Sequence, residues 1–234
     1  MTSLHDLLLP LPIPQGLAKA LLFAFFSIHL LFVLLMLGTA ILALAYFIEA
    51  WWHDRLTVLR WDKKILRMFM MHKSLAVVFG VGPLLLIQAV FSIPFFNAVV
   101  LFSPFWLLII AFLILAFLSF DSLGHRIETH RYLHLCFGII AMIFLLCVPG
   151  FFAAVLVAAE NPDKWMEILR TGFGFDGRIS IHWFMRYLHI LGASIVFAAA
   201  FHYFFTAPRF GIEHRPGLVK WMLAGLLQVL LSRF

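Results

Sequence analysis

The sequence predicts an all-α fold, an integral membrane helical bundle of five transmembrane helices plus a short C-terminal helix, organised as one membrane domain over residues 1–234. Three observations carry this expectation. The chain is 64% hydrophobic and only 12% charged, with mean hydropathy +1.05, far outside the range of a soluble domain. Its apolar residues gather in runs of about 20 or more, the length that crosses ~30 Å of hydrocarbon. No run shows the ten-residue alternation of an outer-membrane barrel, and in lipid the backbone must satisfy itself, so the spans are read as helices.

The first run, Leu17 to Ala50, follows a proline-rich start without a basic n-region, so no cleaved signal peptide is expected. Ser74 to Phe96 is the second span, and its Gly80-Val81-Gly82-Pro83 stretch marks a kink or a close helix approach. Pro104 to Phe120 and Leu133 to Ala158 are the third and fourth, and Ser180 to Phe205 is the fifth. Between the last two, Pro162 opens a short amphipathic surface helix, Asp163 to Thr171, ahead of the turn-rich Gly172 to Gly177. Gly217 to Phe234 is apolar but short, with Lys220 and Arg233 near its ends, and is expected to lie in the membrane interface, a sixth span being the alternative.

Basic residues set the expected orientation. Arg55, Arg60, Lys63, Lys64, Arg67 and Lys73 occupy the connection between the first two spans, and Arg126 and Arg131 add to the same side, which is therefore cytoplasmic. The N-terminus is then periplasmic or otherwise exoplasmic, as expected for a multi-pass protein of a prokaryotic inner membrane. The net charge of +6 comes from these topology signals and excludes a nucleic-acid role. Cys136 and Cys147 lie in one apolar run without a Cys-x-x-Cys-His motif, which excludes a disulfide framework and covalent haem attachment.

The chemistry rests on the histidines. A polar ring in hydrocarbon costs several kcal/mol unless it finds a partner, so an intramembrane histidine is a functional candidate. His29 and His189 each lie ~12–18 Å from the exoplasmic end and are candidates to share one haem iron. His72, His134 and His202 fall near the cytoplasmic ends of their helices, where any two are candidates for a second iron. His189 and His202 stand 13 residues apart on one helix, roughly 20 Å of rise, so that helix can serve two haems stacked across the membrane. Arg-Tyr-Leu-His occurs twice, at Arg131 to His134 and Arg186 to His189. In each copy the arginine shares a helical face with the histidine, where its guanidinium can pair a haem propionate. His72 and His134 have snorkelling to headgroups as their bland reading, and His29 and His189 have an imidazole bonded across helices. His182 and Trp183, at the exoplasmic boundary, fit an aromatic belt or a haem or quinone contact. His5, His53, His125, His130 and His214 sit in polar connections and read as solvated.

Phe26-Ser27-Ile28-His29-Leu30-Leu31-Phe32-Val33 with Leu37-Gly38 resembles the first helix of cytochrome bd-type quinol oxidase subunit I, including its haem-ligating histidine. Phe120-Asp121-Ser122-Leu123-Gly124 resembles that family's link from its third to its fourth helix, and Arg186-Tyr187-Leu188-His189 its fifth helix with the ligand of the low-spin haem b. The resemblance covers the five-helix core and implies a periplasmic N-terminus, haem b and quinol. The family's quinol-binding loop and methionine-bearing helix have no counterpart here, and the second and third helices carry Gln88 and Val90 with apolar neighbours instead of the oxidase's acidic residues. Oxygen reduction is therefore not expected, and a second histidine is the expected sixth ligand.

The expected function is a subunit that binds one or two b haems and carries electrons between quinol or quinone and an exoplasmic cytochrome c or iron–sulfur partner. Quinol is expected beside the Glu160 to Ile179 loop. The alternatives are a dihaem anchor of nitrate-reductase type with a cytoplasmic iron–sulfur partner, and a haem-free scaffold or transporter whose histidines bind protons or metal ions. The scarcity of intramembrane Asp and Glu argues against a proton relay. No catalytic triad, phosphate loop or tetrahedral zinc spacing is present.

Overall fold

The computed structural model describes residues 13–53, 56–126, 131–170 and 177–232, and all regular structure among them is helical. In chain order the helices are α1 (Gln15–His53), α2 (Leu56–Val90), α3 (Ser92–Leu101), α4 (Ser103–Arg126), α5 (Arg131–Glu160), α6 (Trp165–Arg170), α7 (Gly177–Phe201), α8 (Ala207–Phe210) and α9 (Arg215–Leu231). Five stretches are long and apolar enough to cross a membrane: Gln15–Glu49, Lys64–Val90, Ser103–Asp121, Leu135–Glu160 and Ser180–Arg209. The chain is a multi-pass membrane protein, and its outer surface agrees. Leu107, Ile110, Ile114 and Leu118 form an exposed stripe at helical spacing along α4, a face that suits lipid and not water.

Helix α1 is the centre of the bundle. Its N-terminal half is largely exposed, with Phe23 at 76%, but from Leu34 to Phe47 nearly every side chain is buried or half-buried because α2, α5 and α7 pack around it. One core layer joins Met36, Leu37 and Ala40 to Leu66 and Phe69 of α2, Ala116 and Phe120 of α4, and Ala141 and Leu145 of α5. A second joins Leu42 and Tyr46 to Ile65, Ala198 and Leu218. At the other end, α3 and α6 cap α5 through Phe95, Ala98, Val155, Ala158 and Ile168. The Lys73 ammonium, 2.7 Å from the Asp121 carboxylate and over the Phe117 ring, ties α2 to α4.

Three expected boundaries move. The basic stretch expected to connect the first two spans is helical from Leu56 onward, because nothing from there to Gly80 breaks a helix and Lys and Arg are good helix formers. Phe120 to Gly124, expected as a link, is likewise the continuation of α4 to Arg126. The second span ends early, at Val90, and Ser92 starts the separate helix α3, with Pro94 in its first turn where the missing N–H costs nothing.

The C-terminal helix, expected to lie in the interface with a sixth span as the alternative, is α9, and it runs antiparallel along α7. Leu218 packs in the layer with Ala198, Gly225 meets Gly192, the Gln228 amide donates to the Leu188 carbonyl, and Ser232 reaches His189. The close fit depends on paired glycines: a Cβ at Gly225 would stand 2.9 Å from the Gly192 oxygen, and one at Gly192 3.1 Å from the Gly225 oxygen. Leu223, Leu226, Leu227, Leu230 and Leu231 remain exposed on the opposite face.

Backbones come closest where α1 crosses α7. A Cβ at Gly38 would overlap the Ser194 carbonyl and stand 2.7 Å from the Ala198 Cβ. Gly38→Ala therefore forces the two helices apart, and overpacking of this kind costs about 1–3 kcal/mol or more. The expected outcome is a clearly lower thermal unfolding midpoint in detergent, with Gly16→Ala, which meets nothing within 4 Å, unchanged as the control.

Candidate functional site

Four described histidines set well inside the spans, His29, His72, His189 and His202, sort into two single rings and one pair. His29 turns toward α2, where its Nδ1 lies 3.0 Å from the Ala76 carbonyl oxygen. Since a carbonyl only accepts, the ring proton sits on Nδ1 and Nε2 carries the lone pair. The ring fits because position 80 has no side chain: a Cβ at Gly80 would stand 2.9 Å from His29 Cε1. His189 turns instead toward α9, with Nδ1 3.3 Å from Ser232 Oγ. The serine hydroxyl also faces the Val229 carbonyl at 3.1 Å, and with its proton on that carbonyl it accepts from His189 Nδ1–H. In that arrangement the lone pair is again on Nε2. The two rings expected to share one iron therefore face different helices, each held through Nδ1 by oxygen.

His72 and His202 do come together, with ring centroids 6.4 Å apart. Between them stands Thr39 of α1, its Oγ1 3.2 Å from His72 Nδ1 and 3.2 Å from His202 Nε2. His202 Nδ1 meets Thr206 Oγ1 at 2.9 Å. All four side chains are buried, His72 exposing 1% and His202 0%. The local backbone explains the second threonine: residues His202–Thr206 form a π turn, closed by the Ala207 N–H on the His202 carbonyl. Pro208 has no N–H for the Phe204 carbonyl, and the ladder loosens at that point. The Phe201 ring packs edge-on against His72 at 4.8 Å. His72 Nε2, in contrast to every other ring nitrogen of the pair, is buried without a hydrogen-bond partner.

At the N-terminal end of α7 a more open cluster forms. Both Nη atoms of Arg186 donate to the Glu160 carboxylate at 2.9 Å, and Nη2 lies 3.1 Å from His182 Nε2. The fork expected for a propionate is engaged by this carboxylate. Trp183 donates Nε1–H to the Gly150 carbonyl at 2.8 Å and stacks on Tyr187, whose hydroxyl donates to the Leu146 carbonyl. Trp183 is thus a half-buried tie between α7 and α5, more than a belt residue. At the other end His214, expected to be solvated, is half-buried with its ring edge toward Tyr46 at 6.5 Å. Burial holds its pKa below the ordinary histidine value, against the pull of the Glu213 and Glu49 carboxylates and with the push of Lys64.

The side chains of Arg131 and His134, and those of His5, His53, His125 and His130, lie outside the described residues. Among the described residues no group of three or more His, Cys, Asp or Glu converges to hold a bare metal ion.

No family model, curated protein or solved structure matches the chain.

Sequence reading missed Thr39, Thr206, Ser232 and the carbonyl of Ala76, the groups that hold the rings. Two signals were available. Thr206 lies four residues after His202 and two before Pro208, on the histidine's own helical face. Thr39 is a lone hydroxyl beside the glycine that lets α1 approach α7.

The Gly80 contact is testable. Gly80→Ala pushes the His29 ring off the Ala76 carbonyl, at about 1–3 kcal/mol for a buried acceptor and ring displaced together. The unfolding midpoint should drop, whereas Gly82→Ala, whose nearest neighbour is 3.9 Å away, should leave it in place.

Proposed function

We propose that the chain is a haem b-binding electron-transfer subunit of a quinone-linked complex in a prokaryotic inner membrane, related to cytochrome bd-type subunit I, with His29 and His189 each anchoring a haem of its own. The observation that carries this reading is the way both rings are held. A metal-ligating histidine characteristically gives its second N–H to an oxygen, which fixes the tautomer and raises the basicity of the coordinating nitrogen. His29 does so with the Ala76 carbonyl and His189 with the Ser232 hydroxyl, leaving Nε2 of each available inside an apolar segment.

Bound haem would supply reversible one-electron redox chemistry. The chain's own part is to orient Nε2 and to hold the fifth-helix copy of the Arg-Tyr-Leu-His motif in register through Gln228 on the Leu188 carbonyl. The proposal does not use His202 as a ligand, since threonine hydroxyls engage both its nitrogens. Nor does it use Arg186 for a propionate. The partly exposed Glu160, Arg186 and His182 cluster, beside Trp183, has the carboxylate and imidazole needed to take protons from a quinol at the membrane boundary. A soluble redox partner, a cytochrome c or an iron–sulfur protein, would exchange electrons on that same side.

The experiment is a pyridine haemochrome count with reduced-minus-oxidised spectra on the purified chain or its complex. We expect b-type haem in the wild type, loss of one spectral component in His29→Ala, loss of a different one in His189→Ala, and unchanged haem content in His202→Ala. Protein purified from haem-replete cells without Soret absorbance would sink the proposal, and loss of the same single haem in both variants would return the two histidines to a shared iron.

A further inference from the structure

The buried pair His72 and His202 has no part in that proposal, and its hydrogen bonding points to a separate activity. Thr39 Oγ1 has two partners in the structure, His72 Nδ1 and His202 Nε2, each at 3.2 Å. A hydroxyl owns one proton. Buried at 0% exposure, that proton must go to one of the two rings or be left unsatisfied, which costs about 1–3 kcal/mol. If Thr39 donates to His72, the His72 proton is on Nε2, and Thr39 accepts from His202 Nε2–H. If Thr39 donates to His202, both rings carry their protons on Nδ1. The tautomers of the two histidines are thereby locked together, either both on Nε2 or both on Nδ1.

We propose that Thr206, His202, Thr39 and His72 form an intramembrane proton relay, built from imidazole and hydroxyl groups in a core where carboxylates are scarce. Thr206 lies three residues from the end of the Ser180–Arg209 span, within ~5 Å of the boundary, and takes a proton from water there. It passes its own to His202 Nδ1. His202 gives its Nε2 proton to Thr39, Thr39 gives its own to His72 Nδ1, and His72 releases its Nε2 proton to a water molecule inside the bundle. Every group gains one proton and loses one, so a single proton enters at Thr206 and leaves at His72 Nε2, and both rings change tautomer in the transfer. The relay explains why His72 Nε2 is buried without a partner, since the exit atom of a proton path must be able to hold or release a proton. It also gives the π turn a task, for π turns often mark functional positions and this one sets Thr206 on His202. Among the described residues no carboxylate or ammonium is bonded to either ring to fix the proton on one side.

The test is ring 15N NMR of the full chain, histidine-labelled, in phospholipid nanodiscs, which separates N–H from bare nitrogens. The wild type and Thr39→Ser should show equal Nδ1–H fractions at His72 and His202, changing in parallel with temperature. Thr39→Val, which keeps the shape and removes the hydroxyl, should abolish that correspondence, with the haem content at His29 and His189 unchanged. Unlike tautomers at the two rings in the wild type would overturn the relay without needing any variant, and so would tautomers that still change in parallel in Thr39→Val. Because haem content is read separately, failure of the relay and failure of the haem assignment are distinguishable.

Discussion

The bundle depends on the contact between α1 and α7 at Gly38. In hydrocarbon there is no hydrophobic drive between helices, so association rests on close packing and on hydrogen bonds across the seam. The missing Cβ at Gly38 lets the Ser194 carbonyl and Ala198 come against the α1 backbone. At that separation a short threonine side chain on α1 reaches His202 in the turn that follows α7, and the same hydroxyl reaches α2 on its other side. Three helices are joined by one oxygen atom.

The same physics is repeated around the bundle. Gly80 admits the His29 ring to the α2 backbone, and Gly192 with Gly225 brings α9 near enough for Gln228 and Ser232 to bond across to α7. In each case a glycine removes bulk and a polar side chain nearby satisfies a group that lipid would leave bare. The glycines and the polar atoms are one device. This is why His29, His72, His189 and His202, though spread over the chain, are held by oxygen from a neighbouring helix or from the adjoining turn.

Function divides along the same lines. In our proposal His29 and His189, each standing alone, bind haem iron, while His72 and His202, which share the Thr39 hydroxyl, pass a proton. Redox cofactors and proton paths sit side by side in membrane complexes because moving an electron in low dielectric is cheaper when a proton moves with it. The open Glu160, Arg186 and His182 cluster lies at the N-terminal end of α7 and the buried threonine and histidine chain at the turn after its C-terminal end, which places polar clusters at both ends of one helix.

Length and composition by themselves determined the class: helices, five of them long and apolar enough to span a bilayer, and the histidines as the polar groups that need an explanation there. Those inferences rest on the bilayer's thickness and on the cost of an unpaired polar group, both of which act on any chain. The tertiary structure decided the rest. It decided that His29 and His189 face different helices, that His202 pairs with His72 through Thr39, that Arg186 meets Glu160, and that α9 packs against α7. Depth along a helix can be counted in residues, but the face a ring presents depends on which neighbour comes close. That was set by glycines at 38, 80, 192 and 225, whose partners lie tens of residues away in the chain.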